Sequence, residues 1–188
     1  FTSMTRKYGI THFASIIVRM RQIVLPSFHA HGVMDITTEG DNFIVTFPDP
    51  LSGALAAAKM HSKAGELYEQ MGQKQRALES YIKGNAYRRA VELARKSFPG
   101  QVVRLEEAWG DYLVSEKQLD AAINHYIEAG VSVKAIEAAF SAMRWNKAVQ
   151  LVDSLAASDV KLARQYYRRI AKHYRDAKNF AMAERYYC

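Results

Sequence analysis

The hydrophobic and polar positions change their pattern near residue 60. Beyond it, Ala64–Ala94 (AGELYEQMGQKQRALESYIKGNAYRRAVELA) reads as a helix, a short turn, a second helix, a brief break and a third helix. The pattern then returns. Gly65, Gln73, Ala77, Tyr81, Ile82, Ala90, Glu92 and Ala94 recur 45 residues later as Gly110, Gln118, Ala122, Tyr126, Ile127, Ala135, Glu137 and Ala139. A looser copy closes the chain, where Ala171, Tyr174, Ala183 and Tyr187 keep the spacing of Gly65, Tyr68, Ala77 and Tyr81. A fixed period of this length predicts a helical repeat array.

The physical reason lies in the residue types. A small residue such as Gly65 or Ala77 lets two antiparallel helices approach closely, and a tyrosine one turn on fills the groove beside the next helix. A single hairpin of this kind cannot bury its apolar face alone, so hairpins stack on one another. The spacing resembles the tetratricopeptide pattern, but 45 residues exceeds that repeat's length, which predicts extra short helices between hairpins. Ser97-Phe98-Pro99-Gly100 predicts a break between the first two blocks, and Asp153–Asp159 a loop.

Residues 1–60 follow a different period. Apolar residues at Phe13, Ile16, Ile17, Met20 and Val24 predict a helix over Thr11–Leu25, ended by Pro26. Gly32–Thr37 and Asn42–Phe47 are β-prone and joined by a short polar connection containing Gly40, which predicts a hairpin. Leu51–Met60 is an alanine-rich helix that can also run unbroken to Met71. Two strands make no stable sheet alone, so Phe1–Thr5 is read as the tail of a third. The fold expected is mainly α: a tetratricopeptide-like α-solenoid over 61–188, preceded by a small α+β fragment (helix, β-hairpin, helix) over 1–60.

Composition narrows the chemistry. With 49% hydrophobic and 24% charged residues, the 188-residue chain reads as globular. Cys188 is its sole cysteine, so no disulfide forms within the chain, which fits a reducing compartment. No apolar run is long enough to span a membrane; Ile16–Val18 is cut short by Arg19 and Arg21. The chain opens on Phe1 rather than methionine, so this is read as not the native start. The net charge of +7 is spread along helices, with small clusters at Arg88-Arg89 and Arg168-Arg169. Without interleaved aromatics these read as solvated faces, and no nucleic-acid partner and no membrane insertion are expected.

FTSMTRKYG, TTEGDNFIVTFPDP and ALAAAKM together resemble the first part of a class III nucleotide cyclase domain. That resemblance implies a hairpin aspartate, here Asp41, holding two divalent ions (Mg or Mn) for cyclisation of ATP or GTP. The family's first aspartate would precede Phe1, Thr37 stands where a base-reading lysine is common, and later active-site elements have no counterpart. An enzyme is therefore the alternative reading. No linker separates the two textures. A natural fusion, a misjoined gene and separate stretches numbered as one chain each account for the junction, and the incomplete first piece favours the last two.

Leu105–Val114 (LEEAWGDYLV), Gln118–Gly130 (QLDAAINHYIEAG) and the preceding RALESYIKGNAYRRAVELAR resemble the intraflagellar transport 172 family of ciliary complex B. The resemblance covers about two thirds of the chain. It implies a solenoid segment without cofactor that acts as a scaffold for cilium assembly and maintenance. Its partners would be other complex B subunits and neighbouring train particles, in the cilium or flagellum and at the basal body, on the cytoplasmic side. It carries over no catalytic residue.

The remaining constellations are weak. His29 and His31 would share one face of a strand but have no third ligand nearby. Cys188 has no evident base. Glu106, Glu107 and Asp111 are read as a solvated surface cluster, and Trp109 and Trp145 as packing residues.

Overall fold

A computed structural model describes the backbone of residues 10–39 and 42–187. Among the described residues, ten helices and one two-stranded antiparallel sheet form a mainly α helical-repeat solenoid. The chain divides into two compact units, Phe1–Ser97 and Phe98–Cys188.

In the first unit α1 (Ile10–Ala30) precedes β1 (Asp35–Glu39) and β2 (Asn42–Thr46), followed by α2 (Pro50–Gln70), α3 (Lys74–Lys83) and α4 (Tyr87–Ser97). The strands pair with Asp35 opposite Thr46 and Glu39 opposite Asn42. The expected third strand at Phe1–Thr5 lies outside the described residues. Pro26 does not end α1, which continues one turn to Ala30. Phe28 gives the reason: it is buried and meets the ring edges of Phe43 and Phe47, so packing on the hairpin holds the last turn. Asp49 caps α2 by accepting from the Ser52 amide at 2.9 Å, with Pro50 at the first helical position. From there α2 runs unbroken through residue 60, and its second half pairs with α3.

The second unit starts with a 3₁₀ turn, Pro99–Gln101, where the sequence marks a break. It continues with α5 (Val102–Ser115), α6 (Leu119–Glu128), α7 (Ser132–Ser141), α8 (Trp145–Ala156), α9 (Val160–Asp176) and α10 (Phe180–Tyr186). Each helix packs on the next, around a core that includes Ile123, Tyr126, Ile136, Phe140, Val152 and Ile170. The loop expected over Asp153–Asp159 is shorter. Val152 and Leu155 stay on the buried face and carry α8 to Ala156, while Asp159 already caps α9 through the Leu162 amide.

The 45-residue period corresponds to three helices. The second half of α2 with α3 and α4 makes the first copy, and α5, α6 and α7 make the second. In the second copy a methyl on Gly110 would lie 2.6 Å from the Tyr126 ring. The third copy departs from this. Tyr187 is 52% exposed, and its neighbour Tyr186 is the buried ring, stacked on Tyr167 and Tyr174. Tyr186 follows the buried Ala183 by three residues, where Tyr81 follows Ala77 by four, so the terminal helix presents a different face.

A finer period underlies the array. Gly72, Asn85, Lys117, Gly130, Met143 and Lys178 all take positive φ at the ends of helices. At each, the next residue's N–H returns to the carbonyl five back, as in Gln73 to Tyr68 and Arg144 to Ala139, both at 2.8 Å. Five residues after each turn residue stands a buried alanine: Ala77, Ala90, Ala122, Ala135, Ala148 and Ala183, none more than 4% exposed. The turn is a Schellman motif, and the alanine admits the facing helix.

Candidate partner-binding surface

A groove of about 680 Å³ opens on the second unit between α6, the first turn of α8 and the end of α9. Its floor is aromatic. The Trp145 indole lies flat on the His173 imidazole, with ring centres 3.6 Å apart and planes 7° from parallel. One wall is ionic: Arg144 donates from Nε and Nη2 to both carboxylate oxygens of Asp120, each at 2.7 Å. The Arg144 hydrogen bond holds the Asp120 carboxyl below its usual range, and Asp120 in turn raises the guanidinium. Ile123, Asn124, Met143, Asn146, Lys147 and Tyr174 complete the lining. Apolar rings flanked by amide and charged groups suit a peptide segment. Among the described residues that line it, none is a serine, threonine or cysteine.

A second aromatic–imidazole stack lies on α5 and α6. His125 stacks on Trp109 at 3.8 Å and its Nδ1 lies 2.8 Å from Oε2 of Glu106. Glu106 is 2% exposed, so the expectation of a solvated carboxylate is corrected. It sits on the inward face of α5 beside Leu105, and burial is tolerated because an imidazole meets it. Its neighbours behave differently. Lys134 bridges Glu107 and Asp111, each at 2.8 Å, and Tyr126 Oη donates to Asp111 at 2.8 Å. Burial works against the Asp111 carboxylate, but the Lys134 and Tyr126 hydrogen bonds outweigh it and lower the carboxyl pKa. Both tryptophans pack against the core, in keeping with the structural role expected for them.

Asp41, the metal ligand implied by the cyclase resemblance, lies outside the described residues, as does Cys188. His29 and His31 do not share a strand face. His29 is in the last turn of α1 and His31 follows it, with Nδ1 2.7 Å from the Ser27 carbonyl oxygen. The two imidazoles therefore stand at a helix end rather than along a strand, and the shared face considered for them does not form. Among the described residues no three His, Cys, Asp or Glu side chains gather to hold a metal ion. Nor is any described helix long and apolar enough to cross a membrane.

Sequence reading did not find the groove residues. Trp145 is visible as an aromatic on a helix, but nothing nearby in sequence links it to His173 across the α8–α9 hairpin. Asp120 and Arg144 stand 24 residues apart, with α7 intervening.

No protein-family model matches the chain. Curated relatives do. The chain is 53% identical over 137 residues to the mouse intraflagellar transport protein 172 homolog, covering 73% of this chain. It is 44% identical over 163 residues to intraflagellar transport protein 172 of Chlamydomonas reinhardtii, 87% of this chain, and 41% over 135 residues to the Caenorhabditis elegans intraflagellar transport protein osm-1, 72% of it. The chain spans only 8% of the mouse relative's length and 9% of the algal one's. A match of 163 residues is too long to lie within 61–188, so it crosses the change of texture near residue 60. Two unrelated pieces joined there do not account for it, which corrects the expectation of a composite chain. These relatives lend no support to the cyclase resemblance.

Proposed function

We propose that this chain, which belongs to the intraflagellar transport protein 172 family, serves the transport train of the cilium or flagellum as a helical-repeat scaffold. The observation that carries the reading is the 44% identity held over 163 residues with the algal protein. Its partners are other complex B subunits and neighbouring train particles. Stacked helices expose broad lateral surfaces along which several partners can bind without one dominant cavity. The Trp145–His173 groove is one such surface on the second unit.

The test uses the purified chain as bait in an extract of Chlamydomonas flagella, with bound proteins identified by mass spectrometry. Enrichment of named intraflagellar transport subunits, reduced by Arg144→Glu with Trp145→Ala, is the expected result. If no such subunit exceeds its level on an unrelated helical repeat, the scaffold reading is overturned.

A further inference from the structure

Charge on the second unit is unevenly placed. Outside α9 it carries seven lysines and arginines against ten aspartates and glutamates. Helix α9 alone carries Lys161, Arg164, Arg168, Arg169, Lys172 and Arg175 against one acid, Asp176. Arg169 leaves the set by pairing with Glu137 at 2.8 Å and lying over the Phe140 ring at 4.3 Å. Arg175 lies 3.5 Å from Asp176. Lys161, Arg164, Arg168 and Lys172 are exposed and make no hydrogen bond or ion pair among the described residues.

These four fall at steps of three, four and four residues, so they form a single stripe about 16 Å long at the helical rise. Elsewhere on the unit Lys134 takes two carboxylates and Arg144 takes Asp120, and the other exposed cations Arg104, Lys117, Lys147 and Lys178 stand on separate elements rather than along one helix face. Four like charges one turn apart repel each other along the helix. An external anion with the same linear spacing relieves that repulsion.

We infer that the Lys161–Lys172 stripe of α9 docks an acidic helix of a partner protein whose carboxylates recur at about one-turn spacing. The inference rests on the scaffold reading and adds the partner's chemistry. A membrane surface fits less well, because the apolar side of α9 is spent inside the hairpin stack: Ala163, Ile170 and Ala171 are at most 1% exposed, and Tyr166 is 9%. Single-stranded nucleic acid is normally held by exposed stacking rings beside the cations, and here Tyr166 is buried while Tyr167 donates to Asp153 and stacks on Tyr186.

The probe is a fluorescein-labelled alanine-rich helical peptide bearing four glutamates at one-turn spacing, read by anisotropy against the whole chain. A glutamine version, phosphatidylserine vesicles and duplex RNA run beside it. The glutamate peptide should bind, the glutamine version should not, and binding should weaken as salt rises. Arg164→Glu with Arg168→Glu should weaken it at least about tenfold, while a lysine version of the peptide should gain affinity for that variant. Unchanged helical circular dichroism would show the variant folded. The inference is overturned if both peptides bind alike, or if vesicles or RNA bind in a stripe-dependent way and the glutamate peptide does not. It is also overturned if the variant retains every transport subunit captured from flagellar extract, although the scaffold reading then stands. Should the unaltered chain capture none, the scaffold reading falls and the inference falls with it.

Discussion

A methyl group on Gly65 would lie 2.5 Å from Cδ1 and Cε1 of Tyr81. The ring is fully buried, and its hydroxyl is tied to Glu69 Oε2 at 2.8 Å, so it has nowhere to go. The contact at Gly110 and Tyr126 has the same form. In an ordinary helix interior, glycine to alanine adds about 1 kcal/mol of stability. Here Gly110→Ala is expected to remove about 1–2 kcal/mol, since overpacking a tight core outweighs that gain. Urea unfolding measures it. Combining Gly110→Ala with Tyr126→Leu should recover most of the loss the glycine change adds; a loss that persists would place the strain elsewhere.

Lys117, Met143 and Lys178 hold left-handed backbone at φ of 60°, 58° and 58°. A side chain there costs roughly 1–2 kcal/mol. Each replaced by glycine should raise stability by up to about 1 kcal/mol, net of glycine's extra unfolded-state entropy. Met143 is 66% exposed, so little burial is lost with its side chain. Thermal melts of the three single variants check the direction.

His125→Ala removes the imidazole that meets the buried Glu106 carboxylate. A hydrogen bond to a charged group of this kind contributes roughly 2 kcal/mol, and the loss should be of that size. Glu106→Gln keeps the geometry and should cost less. The same His125 variant uncovers one face of Trp109, so its fluorescence should shift to the red.

Burial and the bond to Glu69 push the Tyr81 phenol up to about 12, and burial with the Asp111 bond does the same for Tyr126. The sign follows directly. An unfolded tyrosine loses its proton near pH 10, whereas the folded one keeps it until about 12. Over that window the native state binds more protons, so the stabilisation present below 10 declines as pH rises. Denaturant midpoints should fall through this range, and Tyr81→Phe with Tyr126→Phe should flatten the fall.

Much of the fold is legible in the residues, but unevenly. Gly65 with Tyr81 and Gly110 with Tyr126 give the repeat because close approach leaves small residues and rings at fixed offsets. The Asn42–Thr46 strand and the break at Ser97-Phe98 are equally plain, since β-branched runs and proline act locally. The turns were harder. Gly72 and Gly130 announce theirs, whereas Lys117 and Met143 take the same backbone with residues that do not favour it, because the flanking hairpin dictates the path. The thirteen-residue steps from Gly72 to Asn85 and from Lys117 through Gly130 to Met143 were available in the alanine positions. Glu106 departs from its expectation because a carboxylate on a helix is usually solvated, and only the fold brings His125 to it. Pro26 likewise ends a helix in isolation, and here Phe28 carries it on.

The recurring turn has a consequence for how such a chain can change length. From Gly72 to Asn85, and from Lys117 through Gly130 to Met143, one helix with its turn occupies thirteen residues. An insertion of any other length would carry the buried alanine off the inner face of its helix. Growth and shrinkage of these stretches over evolutionary time are therefore quantised: related chains should differ here by whole helix-and-turn steps of about thirteen residues, which an alignment anchored on the buried alanines would count.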